Sequence, residues 1–463
     1  MGLSGKPGRP LENNQKTGLK AVMMRKIKCE DVKNIKNRRL REEIEYYMGV
    51  YEMFRNDTAD YGIEISEHDG GSDNTDNLKS RLSALGVKTR NDCKSYVWGN
   101  ISPSCLHCRT GAGSETFILS LKCNRDCYFC TNKNQLDYES GKDSVNDIVE
   151  RYDRMSSVCG TLLSAGITGG EPLLFPDKCT EFIRHVKNRD SRTQVRIYTN
   201  GDMAGEDILM RLADAGLDEI RFGLKFNDDD IVPEDLYRNL EAAVNLIPRT
   251  VVEVPVKPGG FEAMKTLLNR SEAMGVYSVN LLEFLFPWVN PAEFVKSGNE
   301  VKKSPYRVLH NYTYAGGLPI EGSEEECLRL VLYAAENRFS TGVHYCSLEN
   351  KLTSQVWQQN SGIKLTPVEY FSQKDFFIKT AKAYGSEAET AKIVLDRGGC
   401  RHYTCFEDTG VLEFPVTDIK LLKGQNIELG ISSMICDQNG AKRCIREVAV
   451  DYTNSEQFSI DDI

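Results

Sequence analysis

Between residues 117 and 286, apolar stretches of strand length alternate six times with segments of helical period, and nothing else in the chain narrows its fold as much. Strands are read at 117–121, 162–168, 194–200, 217–225, 250–256 and 277–284. The intervening segments place Val145, Ile148, Val149, Tyr152 and Met155 on one helical face, Cys179, Phe182, Ile183 and Val186 on the next, and Leu236, Leu240, Val244 and Ile247 on a later one. Ser144 or Asp143 is the expected cap of the first helix, and Pro233 opens the fourth. Six strands joined by helices predict an α/β fold with right-handed crossovers, here a partial (β/α)6 TIM-type barrel. In such folds reactive groups gather at the carboxyl ends of the strands.

The flanks read differently. Residues 1–28 are polar and lack a hydrophobic period, whereas Val32, Ile35, Leu40, Ile44, Tyr47, Met48, Tyr51 and Phe54 recur at helical spacing. Residues 1–100 are therefore assigned to a loose tail and a helical extension covering the next domain, with a short helix at 78–85. Residues 101–290 are assigned to the barrel and 291–463 to a mixed α+β C-terminal domain, with helical periods at 324–337 and 376–384 and short strands over 411–450. The net charge of -9 argues against a nucleic-acid partner. No apolar run approaches the roughly 20 residues of a membrane span, and the N-terminus lacks the apolar core of a signal peptide, so a cytoplasmic protein is expected.

Fifteen cysteines without a secretion signal suggest metal ligands before disulfides. Cys123, Cys127 and Cys130 follow the spacing Cys-x3-Cys-x2-Cys directly after the first strand. Three thiols in one loop can hold three irons of a four-iron, four-sulfur cluster and leave the fourth open. A zinc site would favour four closed ligands in paired or His-containing spacings. Cys105 and Cys108 form a CxxC, and with Cys400 and Cys405 they are candidates for an auxiliary iron-sulfur or zinc site, isolated thiols being the alternative. His344, Cys346 and His402 add candidate ligands, while Cys179 and Cys327 sit at apolar helical positions and read as core thiols.

Polar turns close the next strands. In Gly169-Gly170-Glu171-Pro172 the paired glycines allow a close backbone approach to a ligand, and the Glu171 carboxylate can pair with an ammonium group. The third strand ends in Thr199-Asn200-Gly201, which offers polar contacts and a turn. The fourth sets Arg221, Gly223 and Lys225 on one face, where a basic side chain suits a ligand carboxylate. Glu283, near the end of the sixth, could face a substrate.

Taken together, the cysteine loop after the first strand, GGEP after the second and TNG after the third resemble the radical S-adenosylmethionine superfamily over residues 117–285. The resemblance implies an open barrel in which Cys123, Cys127 and Cys130 hold a [4Fe-4S] cluster. It implies that the amino and carboxylate groups of S-adenosylmethionine chelate the open iron, with Phe129 at the adenine and Glu171, Gly169 and Gly170 at the methionine ammonium. Thr199, Asn200 and Lys225 complete the expected cofactor contacts. The implied activity is reductive cleavage of S-adenosylmethionine to a 5′-deoxyadenosyl radical, which takes a hydrogen atom from a substrate such as a peptide or protein side chain. An electron donor such as flavodoxin or ferredoxin would be needed. The run Phe222-Gly223-Leu224-Lys225 resembles the Asp-x-Lys element of glycyl-radical activating enzymes, with Gly223 where that element has its acid, which makes that activity one alternative. A non-catalytic iron-sulfur or zinc sensor is the other.

Overall fold

The computed structural model describes residues 32–67, 73–107, 109–135, 138–224, 232–303, 317–439 and 442–463. Its main sheet has nine strands: β1 (Lys88–Arg90), β2 (Ser95–Trp98), β3 (Ser114–Ser120), β4 (Ser164–Gly169), β5 (Gln194–Thr199), β6 (Glu219–Gly223), β7 (Arg249–Val256), β8 (Ser278–Glu283) and β11 (Gly342–Cys346). Two short strands, β9 (Leu285–Phe286) and β10 (Leu318–Pro319), pair separately. The order across the sheet is β1-β2-β11-β8-β7-β6-β5-β4-β3, so β3 to β8 lie side by side in sequence order as parallel neighbours.

The barrel therefore continues past the six expected strands. Helix Ser323–Glu336 leads into β11, which pairs in parallel with β8, and β2 then adds an antiparallel edge. The sheet draws strands from both sides of residues 101–290: β11 pairs along the edge of β8, and its Val343 and Tyr345 are buried in one core with Val279, Leu281 and Val331.

Helix Pro176–Arg189 buries Cys179, Phe182, Ile183 and Val186, its predicted face. Cys327 is likewise buried. Helix Ile148–Cys159 starts later than expected: its cap is Asp147, whose side chain accepts from Glu150 N at 2.9 Å, in place of Ser144 or Asp143. Pro233 is a cap outside helix Glu234–Leu246.

The second sheet comprises β12 (Tyr370–Phe371), β13 (Ile378–Tyr384), β14 (Thr404–Phe406), β15 (Val411–Phe414), β16 (Glu428–Asn439) and β17 (Lys442–Asn454). β13 occupies the stretch predicted helical at 376–384. Lys379 and Lys382 hid its strand character, and both are paired: Lys379 with Asp375 at 2.7 Å, Lys382 with Glu43 at 2.7 Å and Glu447 at 2.6 Å. The expected short strands of 411–450 include one long hairpin, β16–β17. The N-terminal helix Arg38–Asp60 covers this second sheet, burying Leu40 and Ile44 with Tyr384 and Val450. The expected tail, residues 1–28, lies outside the described residues.

Candidate functional site: a cysteine loop over a cavity at the strand ends

The loop is fixed first by backbone. β3 and β4 run in register to Ile118 and Thr168, then shift so that Ser120 lies opposite Gly169. The chain leaving β3 passes so near the end of β4 that a Cβ on Gly169 would stand 2.0 Å from Ser120 O, and one on Gly170 2.2 Å from Lys122 O. Gly169 also holds φ at +138°, so both positions require glycine. Gly170 N donates to Ser120 O and Glu171 N to Lys122 O, each at 2.8 Å. The GGEP turn is thus a clasp on the start of the cysteine loop, and its glycines approach that loop's backbone as closely as any ligand could.

Side chains fix the rest. Asn132 Nδ2 donates to Gly169 O at 2.7 Å, tying down the far end of the loop. Asn200 Nδ2 donates to Asn124 Oδ1 at 2.7 Å and lies 3.9 Å from Cys123 Sγ. Arg125 pairs with Asp202, and Asn290 Nδ2 donates to Tyr128 O at 2.8 Å. Phe129 packs edge-on against Tyr128 and Phe284, with Phe294 stacked on Phe284, so the residue before Cys130 is anchored in an aromatic cluster.

Glu171 is 1% exposed. Its carboxylate accepts from Leu173 N at 2.9 Å, Thr199 Oγ1 at 2.7 Å and Asn200 N at 2.6 Å. Burial holds this carboxyl above the ordinary range, a rise that the three donors only partly offset. An ammonium contact would come in addition to these three donors. Glu171 joins the ends of β4 and β5, and through Asn200 it steadies the segment carrying Cys123.

Cys123, Cys127 and Cys130 all line one cavity of about 310 Å³, at the lower end of the ~300–1,000 Å³ range usual for small-molecule sites. Phe129, Gly169, Gly170, Thr199 and Asn200 line it too, as do Gly223, Pro255 and Leu282 from the ends of β6, β7 and β8. Cys123 is exposed, and the other two thiols are half-buried. Among the described residues no three His, Cys, Asp or Glu side chains converge on a point that one ion could occupy.

Below the cavity the barrel interior is polar. Arg221, buried, pairs with Glu219 at 2.6 Å and Glu253 at 2.5 Å and donates to Ser102 and Ser104. The Arg221 guanidinium holds the buried Glu253 carboxyl below its usual range. Asn280 Nδ2 donates to the same Glu253 oxygen at 3.0 Å. His344 contacts Ser95 Oγ at 2.8 Å and Asn280 Oδ1 at 3.2 Å, and burial holds it neutral with its pKa lowered to about 3. Both ring nitrogens are occupied, which removes His344 from the candidate metal ligands. Polar residues at alternate positions of β5 to β7 (Arg196 and Tyr198, Glu219 and Arg221, Glu253) carry the signal for this interior; of these only Arg221 is expected at the site, and its guanidinium is held by Glu219 and Glu253.

Among the described residues, Cys105 lies apart from Cys400. Cys105 faces the barrel interior, with Arg221 Nη2 at 3.5 Å and Asn280 Nδ2 at 3.9 Å. Cys400 is buried in the separate C-terminal core with Leu395, Leu412 and Phe414, and Cys405 is exposed on β14. Cys108 and Lys225 lie outside the described residues. Glu283 does border the cavity, with Oε1 on Lys302 at 3.2 Å and Oε2 on Leu348 N at 2.8 Å.

Residues 117–269 match the sequence model of the Radical SAM superfamily. A protein of Methanocaldococcus jannaschii, provisionally named a glycyl-radical enzyme activating enzyme, is 23% identical over 340 residues, 68% of this chain and 86% of that protein. A second protein of that organism, provisionally named a GTP 3′,8-cyclase, is 32% identical over 124 residues, 26% of this chain and 37% of its own length. The crystal structure of Streptococcus suis SuiB bound to S-adenosylmethionine superposes with a TM-score of 0.35 at 13% identity, covering 63% of this chain and 55% of that one. That overlap is too loose to carry a reaction or substrate across. No helix among the described residues is long and apolar enough to cross a membrane.

Proposed function

We propose, from the premise that residues 117–269 are a radical S-adenosylmethionine domain, that Cys123, Cys127 and Cys130 hold the [4Fe-4S] cluster of that family and that the adjoining cavity takes S-adenosylmethionine with part of a substrate. One observation carries this reading: all three thiols of the motif line the cavity that the ends of β4 to β8 enclose. When bound, the reduced cluster and S-adenosylmethionine together supply a 5′-deoxyadenosyl radical able to take a hydrogen atom from a substrate. The chain's own part is placement. Asn200, Asn124 and Asn132 hold the loop, Glu171 locks the two turns behind it, and Phe129 offers a ring to a planar base. The aromatic cluster behind Phe129 keeps that side of the cavity dry. The exposed side of the loop at Cys123 leaves an approach for an electron donor such as flavodoxin or ferredoxin.

The length of the match to the glycyl-radical-activating relative favours a second reading, in which the substrate is a glycyl residue of a partner protein. A sensor without catalysis is the rival outside the family. Anaerobic reconstitution with iron and sulfide, followed by assay of 5′-deoxyadenosine, tests the catalytic claim. The wild type is expected to bind about four irons per chain and release 5′-deoxyadenosine when reduced, and Cys127→Ala to do neither. Iron uptake with no S-adenosylmethionine cleavage would overturn catalysis and leave the sensor.

A further inference from the structure

The charged side chains bordering the cavity are nearly all spoken for. Arg125 is paired with Asp202, Lys133 with Asp126, Glu283 with Lys302, and Glu253 with Arg221. Lys351 is the exception: among the described residues it is the one charged side chain on the cavity wall with neither a hydrogen bond nor an ion pair. It is half-buried in the first turn of helix Leu348–Asn360, directly after β11. That is the carboxyl end of a parallel strand, where barrels gather ligand contacts. Its charge is felt inside the cavity, since it contributes with Arg221 to holding Glu253 below the usual carboxyl range.

We propose that Lys351 anchors an anionic group of the substrate, a carboxylate or a phosphate, beside S-adenosylmethionine. This rests on the reading of the cavity given above. Three observations separate Lys351 from the cofactor machinery. It lies 82 residues beyond the end of the matched family domain at residue 269, so that domain does not supply it. It stands on the β8–β11 side of the barrel mouth, whereas the cysteine loop follows β3 at the far end of the sheet order. The start of its helix is independently fixed, Leu348 N donating to Glu283 Oε2 and Asn350 N to Ser347 Oγ, so the ammonium projects from a rigid base. A lysine left unpaired at a cavity wall serves an incoming anion at little reorganisation.

The test uses the full-length holoprotein, wild type, Lys351→Gln and Lys351→Arg, with succinate and inorganic phosphate as probes in the presence of S-adenosylmethionine. At least one probe is expected to bind the wild type, to lose roughly tenfold affinity, about 1.4 kcal/mol, in Lys351→Gln, and to recover most of it in Lys351→Arg. S-adenosylmethionine affinity, measured by equilibrium dialysis, stays unchanged across the three. A fall in S-adenosylmethionine affinity in Lys351→Gln would assign the lysine to the cofactor's own carboxylate and overturn the proposal. Binding of neither probe to the wild type, or binding indifferent to the substitution, would overturn it as well. Failure of the cluster reading shows separately, as absent iron or absent 5′-deoxyadenosine.

Discussion

Replacing Glu171 separates two roles that sequence alone confuses, a cofactor contact and a structural pin. Its carboxylate is 1% exposed and accepts three hydrogen bonds, two from backbone N–H groups and one from the Thr199 hydroxyl. A buried donor left without its acceptor costs ~1–3 kcal/mol. Glu171→Ala orphans all three, and with partial relaxation the loss should reach about 3–6 kcal/mol, a large part of the 5–15 kcal/mol that holds a typical domain. Glu171→Gln keeps one accepting oxygen and turns an amide N–H toward a donor, for a loss of about 2 kcal/mol. Urea denaturation of the apoprotein, followed by circular dichroism, reads both. Because Asn200 N is one of the donors and the Asn200 side chain holds Asn124 and approaches Cys123, iron uptake should fall in parallel with stability. An unchanged urea midpoint in Glu171→Gln, together with tenfold weaker S-adenosylmethionine binding, would refute this argument and restore Glu171 as the ammonium partner.

Two further outcomes follow from buried chemistry. His344 is neutral in the fold with a pKa of about 3, below the ~6.5 of the unfolded chain, so the unfolded state takes up a proton first and stability falls as pH drops below about 6.5. Between pH 7 and pH 5 the wild type should lose about 2 kcal/mol more than His344→Gln, and equal slopes in pH-dependent denaturation would show that the ring is not buried neutral. The double variant Cys400→Ser, Cys405→Ser should keep the wild-type iron content of about four per chain, because Cys400 lies in a core separate from Cys105; about eight irons in the wild type falling to about four in the variant would reveal a second cluster.

The strands and helices of residues 117–284 were legible because each buries an apolar face with a clean period, as in the four fully buried positions of helix Pro176–Arg189. The cysteine spacing was legible because it is local. What escaped was set by tertiary contacts. β11 carries His344 in the middle of a short run, and its place beside β8 depends on pairing across about 60 residues. β13 carries Lys379 and Lys382, which break the polar-apolar alternation until their carboxylate partners from other elements are seen. The GG pair was legible as a close approach, but what approaches is the backbone at residues 120–122, and no local pattern could name it.

The same division runs through the site. The loop, its glycine clasp and the Glu171 pin all belong to residues 117–269, the span that matches the Radical SAM sequence model. The opposite wall is built by later chain. Glu283 spans the joint: one oxygen takes Lys302, which also reaches Glu324 at 2.5 Å, and the other caps the helix that carries Lys351. Lys302 is buried, so removing it strands the Glu283 carboxylate without its cation, at a cost of ~3–5 kcal/mol, whereas removing Glu283 leaves Lys302 still paired with Glu324 and costs less. The segment that carries Lys351 is therefore held to the barrel by interactions separate from those of the cysteine loop. Substitutions around Lys351 can alter what the cavity accepts without loosening the cysteine loop.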